Sequence, residues 1–317
     1  MNPHFPPPKT SVSLPIQTPL PPPIRTRKRL IINLVFIFGS LYIAAFLVLA
    51  SAQRTFMYHP ERGDEAKFLQ MAKTQNVEPW RDDNKKLIGW KRTAESRKSE
   101  HRVLDVQENV RAKNRLLILH GNGGHALSRT YFMDGFAALD DGKTWEFYAL
   151  EYPGYGWRDG EHTESEIVAD AEKALLQSTK NDSRPVFIAG ESLGTGVACL
   201  LAAKYPDLIR GLFLATPYTS TVDVAQGRFP IFPVGLALQD RYEAARALEK
   251  YRGRVAVLLA GRDIVVPTHY GQKLFDGYVG AKQLWIQAEA GHNTLNYDAK
   301  LKMWREVSDF LLSGSAS

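Results

Sequence analysis

The stretch from Pro185 to Tyr205, PVFIAGESLGTGVACLLAAKY, constrains this chain more than any other. It opens on an apolar run of strand length and passes through a glycine-rich turn. It then continues as an apolar segment of helix length. A buried strand, a tight turn and a buried helix in immediate succession form the unit of a parallel sheet covered by helices. Two chemistries use such a turn. Gly190-Glu191-Ser192-Leu193-Gly194 is G-x-S-x-G, in which a strained turn holds a serine hydroxyl above the sheet. Gly190, Gly194 and Gly196 also make a turn able to receive the phosphates of a dinucleotide at a helix N-terminus.

The rest of the chain repeats the same alternation. Residues 116–119, 147–150, 186–189, 212–215, 255–260 and 284–286 are short apolar runs without polar alternation, as expected of strands covered on both faces. Between them, Thr163–Lys180 carries Ile167, Ala171, Ala174 and Leu175 on one stripe and opens with the capping-box pair Thr163 and Glu166. Leu193–Lys204 and Leu295–Leu312 are further helices by pattern. Residues 83–114 are charged and irregular, with antiparallel strands expected early, LIGWKRT among them, but their pairing is not legible. The fold class is therefore α/β, with a mostly parallel central sheet and helices on both faces. A chain of 317 residues with 44% hydrophobic content has material for one large domain of this kind plus additions.

Those additions lie at the N-terminus. Residues 1–29 read as a proline-rich, disordered tail ending in the basic cluster Arg25, Arg27, Lys28 and Arg29. Residues 30–52, LIINLVFIFGSLYIAAFLVLASA, contain no charge, and 23 residues of helix reach across the roughly 30 Å hydrocarbon core of a bilayer. A core helix is rarely apolar on every face for so long. A cleaved signal peptide is the competing reading, because Ala50-Ser51-Ala52 fits a small-residue cleavage site, although its apolar run is normally shorter. A retained transmembrane anchor is the reading adopted. The basic cluster before the span outweighs Arg54 after it, so the N-terminus is expected in the cytoplasm and residues 53–317 outside it, in a periplasm or lumen. The net charge of +6 is otherwise scattered, and no nucleic-acid patch is indicated. Cys199 stands alone, which excludes an intrachain disulfide and cysteine-based zinc sites; no metal is expected.

A hydrolase reading of GESLGTG requires a base and an orienting acid, because a serine hydroxyl is a poor nucleophile until its proton is removed. On this fold they follow the serine in the order acid, histidine. Only His269 and His292 come after Ser192. His269 starts a helical pattern, whereas His292 follows the strand QLWIQ in the loop AEAGHN. Asp263 ends the strand VAVLLAGRD; Asp207, Asp223, Asp240, Asp276, Asp298 and Asp309 have helical or surface contexts, and Glu289 is too local to His292. Three strand ends in the required order select Ser192, Asp263 and His292. Two backbone donors are needed for the oxyanion: the amide of Leu193, at a helix N-terminus, and one from HGNGG, residues 120–124, where Asn122 is the candidate. His120 reads as a residue shaping that loop.

The dinucleotide reading has its own support. Gly121, Gly123 and Ala126 form a second glycine turn, Glu151 ends a strand where an acid could hold a ribose, and Tyr278 and Lys282 have the spacing of a reductase pair. Against it, Glu151 lies later than the usual spacing, Gly280 interrupts the Tyr–Lys segment, and a nucleotide site gives no reason for Asp263 and His292.

LLILHGNGG, LEYPGYG, GESLGTG, GRDIVVP and AGHN, in this order and spacing, resemble the α/β-hydrolase superfamily from Leu116 to the C-terminus. More narrowly the chain is similar to membrane-anchored Bem- and ABHD-type serine hydrolases with a serine aminopeptidase-like domain, in which one apolar span is closely followed by a segment like Gln53–Pro60. The resemblance implies Ser192 as nucleophile, Asp263 as acid, His292 as base and Leu193 and Asn122 as oxyanion donors. It also implies a site floored by EYPGYG and a short cap at about residues 216–248. The expected activity is cofactor-free cleavage of a carboxylic ester, thioester or lysolipid. Peptidase chemistry on the same triad is the alternative, with a non-catalytic anchored binding protein or a nucleotide-dependent reductase behind it. The expected partners are a small-molecule or lipid acyl substrate and the membrane.

Overall fold

The computed structural model describes residues 24–93, 112–140, 143–180 and 182–313. The chain divides into two units, one up to Leu49 and one from Ala50 onward. Helix α1 (Ile24–Met57) runs through the division. Leu30, Ile31, Val35, Phe36 and Phe38 are all exposed on it, so it is no core helix, and it is long and apolar enough to cross a membrane. It begins directly after Pro23, earlier than residue 30, and the basic cluster therefore belongs to the helix and not to the tail. Proline is excluded from a helix interior, whereas arginine and lysine are good helix formers, so the boundary falls where the prolines end. The rest of the tail assigned to residues 1–29, residues 1–23, lies outside the described residues.

From Ala50 on, the core is an eight-stranded sheet. Its strands are β2 (Glu78–Arg81), β3 (Leu87–Arg92), β4 (Asn114–Leu119), β6 (Trp145–Leu150), β7 (Val186–Glu191), β8 (Ile209–Ala215), β9 (Arg254–Ala260) and β10 (Lys282–Gln287). Their order is β10-β9-β8-β7-β4-β6-β3-β2. The six strands expected from apolar runs are all present, and every neighbouring pair among them is parallel. LIGWKRT becomes β3, which pairs antiparallel with β2 on one side and with β6 on the other. Its turn is built by Asp82, whose Oδ1 accepts from the amides of Asn84 and Lys86. The remainder of the irregular stretch, residues 94–111, lies outside the described residues. A separate two-residue pairing joins β1 (His59–Pro60) to β5 (Gly123–Gly124) in parallel.

The strands lack polar alternation because both faces are covered. Along β4, β7, β8 and β9, Leu117, Leu119, Val186, Ile188, Leu212, Leu214, Val255 and Val257 face one core, while Leu116, Ile118, Phe187, Ala189, Phe213 and Ala256 face the other. The first is closed by α4 (Glu164–Thr179), α5 (Leu193–Lys204), α8 (Ala244–Leu248) and α9 (Thr268–Gly277). The second is closed by α2 (Glu65–Thr74), α3 (Thr130–Ala137) and α10 (Lys302–Leu312). Helix α4 follows the expected pattern: Ile167, Ala171, Ala174 and Leu175 are buried, and Thr163 Oγ1 accepts from the amide of Glu166 at 3.2 Å. Between β8 and β9, within the expected cap, α6 (Thr221–Arg228) and α7 (Val234–Ala237) precede α8.

One helix is shorter than its pattern. The spacing over Leu295–Leu312 predicts a single helix, but only Lys302–Leu312 is helical. Polar side chains capture the earlier backbone: the amide of Asn296 donates to Gln287 Oε1, that of Asp298 to Asn296 Oδ1 and that of Lys300 to Asp298 Oδ1. Such local bonds compete directly with the helical ladder.

Candidate active site

The site is assembled at the C-terminal edge of the parallel strands. Ser192 follows β7 and starts α5 with φ 50° and ψ −117°. A non-glycine residue with positive φ is strained by about 1–3 kcal/mol and persists only where its surroundings enforce it. Here the enforcing bonds are visible. The Ser192 amide donates to the Ala215 carbonyl at 2.9 Å, and the Ser192 carbonyl accepts from both the amide and the hydroxyl of Thr195. The flanking glycines make the turn sterically possible. A Cβ on Gly190 would lie 2.6 Å from the Gly194 carbonyl oxygen, and one on Gly194 would collide with the Leu119 carbonyl. Gly196 serves the packing of α5 against the segment after β8, since a Cβ there would strike the hydroxyl of Tyr218.

Two further strand ends converge on the serine. His292, in the loop after β10, has Nε2 3.0 Å from Ser192 Oγ and Nδ1 2.6 Å from Asp263 Oδ2. Asp263, after β9, is held by its other oxygen, which accepts from the amides of Val265 and Val266 at 2.9 and 2.8 Å. The carboxylate can therefore hardly rotate, and the imidazole it holds has Nδ1 as its donor. The side chains of Asp263 and His292 are only 2% and 7% exposed, so little water competes for these bonds. His269 lies on α9 with its ring 4.0 Å from that of Tyr270 and tilted by 42°, while Glu289 is exposed and paired with Arg262. Neither joins the group. Asp240, assigned by sequence to a helical or surface context, is instead buried: it accepts from Arg54 Nε and from the amide of Glu164.

The loop 120–124 runs beside the serine, with a Cβ on Gly121 falling 3.5 Å from Ser192 Cβ. Leu193 is the first residue of α5, where amides have no intrahelical partner. The side chain of Asn122 is engaged elsewhere, donating to the Met57 carbonyl at 2.7 Å, which leaves its backbone amide as the candidate donor to a substrate. EYPGYG buttresses the loop from below. Tyr152 donates its hydroxyl to the His120 carbonyl at 2.9 Å, and Tyr155 to the Asn122 carbonyl at 2.8 Å. His120 is wholly buried and joined through Nδ1 to the Gly121 carbonyl at 2.7 Å; burial pushes its imidazole well below its usual value, so it stays neutral.

Sequence reasoning missed Arg129 and Glu191. Glu191, immediately before the serine, accepts from Arg129 Nε at 3.0 Å and from the hydroxyl of Tyr131. Arg129 Nη2 also donates to the Gly123 carbonyl at 3.3 Å, tying the residue before the serine to the loop opposite. No local signal marks this pair, 62 residues apart.

The features raised for a nucleotide site have other employment. Glu151 is wholly buried, accepting from the Ala126 amide at 3.1 Å and from Trp90 Nε1 at 3.2 Å, out of reach of any ribose. Tyr278 donates to the Gly253 carbonyl, while Lys282 donates to the Phe275 and Asp276 carbonyls. Both serve the beginnings of β9 and β10, at the edge of the sheet opposite Ser192. Among the described residues no cluster of histidine, cysteine and carboxylate side chains could hold a metal ion.

Residues 116–311 match the alpha/beta hydrolase family. An uncharacterised protein of Mycobacterium tuberculosis is 30% identical over 181 residues, 56% of this chain and 62% of that one. Human alpha/beta hydrolase domain-containing protein 17B is 30% identical over 192 residues, 59% of this chain and 63% of that one. Protein bem46 of Schizosaccharomyces pombe is 26% identical over 174 residues, covering 50% and 54%. The matched region thus spans less than two thirds of the length of these relatives. Among solved structures, the Pyrococcus furiosus esterase Pf2001 superposes with a TM-score of 0.55 at 14% identity, over 81% of this chain and 98% of that one. Est1E of Butyrivibrio proteoclasticus, solved with ferulic acid bound, gives 0.52 at 18% identity, over 65% and 91%. At such identities these two share the fold and nothing more. The strand order, the strained serine turn and the match over residues 116–311 agree, and the chain belongs to the alpha/beta hydrolase family.

Proposed function

We propose that this chain is a serine hydrolase that cleaves a carboxylic ester, a thioester or a lysolipid through an acyl-enzyme on Ser192. The observation that carries the reading is the continuous hydrogen-bonded chain Ser192–His292–Asp263, drawn from three separate strand ends. His292 Nε2 takes the hydroxyl proton as Ser192 Oγ attacks the carbonyl carbon. Asp263 stabilises the imidazolium that forms and keeps the ring aimed. The backbone amides of Leu193 and Asn122 receive the negative oxygen of the tetrahedral intermediate. His292 then gives its proton to the leaving group, and a water, activated by the same ring, releases the acid. No step calls for a cofactor.

Ser192→Ala in the full-length protein is expected to reduce hydrolysis of an activated ester by about 10³-fold or more and to abolish labelling by a fluorophosphonate. Undiminished turnover by a folded Ser192→Ala protein would sink the reading. Helix α1 is, in the same reading, a retained membrane anchor. Its four basic residues before the apolar run favour a cytoplasmic N-terminus and an extracytoplasmic hydrolase domain.

A further inference from the structure

Met57–Glu61, the segment with which the chain leaves helix α1, is bonded directly to the loop opposite the serine. The His59 amide donates to the Asn122 carbonyl at 2.9 Å, and the Glu61 amide donates to the Gly124 carbonyl at 3.0 Å. Between them β1 lies parallel to β5, with His59 opposite Gly123 and Pro60 opposite Gly124. The Asn122 side chain completes the attachment by donating to the Met57 carbonyl. In a parallel pair of this register the amides of alternate residues point at the partner, and the one between points away. That intervening position is held by Pro60, which has no amide hydrogen to offer. The segment is itself fixed at both ends. Upstream, Arg54 meets Asp240 at 3.1 Å, and Gln53 accepts from the Gln239 amide at 2.7 Å. Tyr58 shares a 3.1 Å hydroxyl–hydroxyl bond with Tyr242. Downstream, the Gly156 amide donates to the Glu61 carbonyl at 3.0 Å.

We infer that Met57–Glu61 is a positioning segment for the oxyanion loop, holding the Asn122 amide at the distance from Ser192 that the reaction needs. The inference rests on the hydrolase reading of the site and deepens it. Loop 120–124 contains three glycines and has little stiffness of its own. An oxyanion donor is effective only if its position is set before charge develops. The segment captures carbonyls 122 and 124 and the Asn122 side chain, so residue 122 is held from its C-terminal side and its side chain, while the peptide plane that carries its own amide is held by the His120 Nδ1 bond to the Gly121 carbonyl at 2.7 Å. The effect of the segment on the reaction passes through Asn122.

The test compares backbone-directed variants of the full-length protein in detergent, on one activated ester, with fluorophosphonate labelling and thermal unfolding in parallel. His59→Pro removes the hydrogen bond to Asn122, whereas His59→Ala keeps it, the His59 side chain being exposed. Pro60→Ala alters the neighbouring position and leaves both donors in place. The expected result is a loss in kcat of tenfold or more for His59→Pro with KM changed less than threefold, and kcat within twofold of wild type for His59→Ala and Pro60→Ala. Asn122→Ala, which cuts the side-chain bond to Met57 and keeps the backbone amide, is a second route to the same loss. The pH profile of kcat/KM should keep its shape in every active variant, because His292 and Asp263 are untouched. Wild-type kcat in both His59→Pro and Asn122→Ala overturns the inference, as does an equal loss in His59→Pro and His59→Ala. If His59→Pro does not fold, Asn122→Ala decides. An active Ser192→Ala protein would instead defeat the hydrolase reading, so the two failures are distinguishable.

Discussion

Behind the loop that faces Ser192, His120 and Glu151 are buried side by side. Glu151 Oε1 lies 3.6 Å from His120 Nε2 and both side chains are fully buried. Burial pushes the Glu151 carboxyl up to about 7, against the hydrogen bonds from Ala126 and Trp90, and pushes the His120 imidazole well down. Alone, Glu151 would stabilise the fold below its unfolded value of 4.5 and lose that contribution as pH rises to about 7. Alone, His120 would contribute stability above its unfolded value of 6.5 and lose it as pH falls. Just below pH 6.5 the folded pair holds one proton, on Glu151, and the unfolded pair gains one on His120, so the two slopes oppose each other. Glu151→Gln should therefore unmask His120. Just below pH 6.5 the variant's unfolding free energy is expected to rise with pH more steeply than that of wild type. Unfolding measured on both proteins just below pH 6.5 checks it; parallel profiles would refute the compensation. Ser192, Asp263 and His292 could be singled out from sequence because each follows a recognisable strand in the order the fold allows. Arg129, Glu191 and Asp240 could not, since their environments come from neighbours remote in the chain. An ordinary surface acid and the buried Asp240 look alike until Arg54 and the Glu164 amide are beside it.

The strand β7, the turn and helix α5 work as one device, and its tolerance is set by backbone clearance. A methyl group on Gly194 meets the Leu119 and His120 carbonyls, main-chain atoms that cannot swing aside as a side-chain tip would. Gly194→Ala is thus expected to cost about 3 kcal/mol or more and to lower the melting temperature sharply, beyond the usual penalty of an overpacked core. A melting temperature equal to wild type would mean that β4 and α5 can separate. The strands could be read in advance because double-sided burial leaves a plain apolar run, and α4 because its stripe and its Thr163 cap agree. Leu295–Leu312 marks the limit of that approach. Leu295, Tyr297 and Leu301 do pack on the same core as α10, so the apolar spacing is real. Periodicity reports which residues face the core, and whether the backbone between them is helical was decided by Asn296 and Asp298 bonding to nearby amides.

A helix long and apolar enough to cross a membrane, on one chain with an alpha/beta hydrolase domain, makes orientation a testable property. With the basic residues Arg25, Arg27, Lys28 and Arg29 on the cytoplasmic side of the span, a protease added to sealed, right-side-out cells stripped of their outer barrier should digest residues beyond the helix. Protection of the hydrolase domain in intact cells, with digestion only after lysis, would reverse the assignment. The parallel α/β architecture, the apolar helix and the meeting of Asp263 and His292 with Ser192 were legible in the order of residues, because each depends on local pattern or on topological rules that hold for any such chain. The pairing of β3, the burial of Asp240 and the bonding of His59 and Glu61 to the loop at Asn122 were not. Apart from the β2–β3 hairpin, they are interactions between segments remote in the chain and with no periodicity of their own, and only the packing of the complete sheet brings those groups within hydrogen-bonding distance.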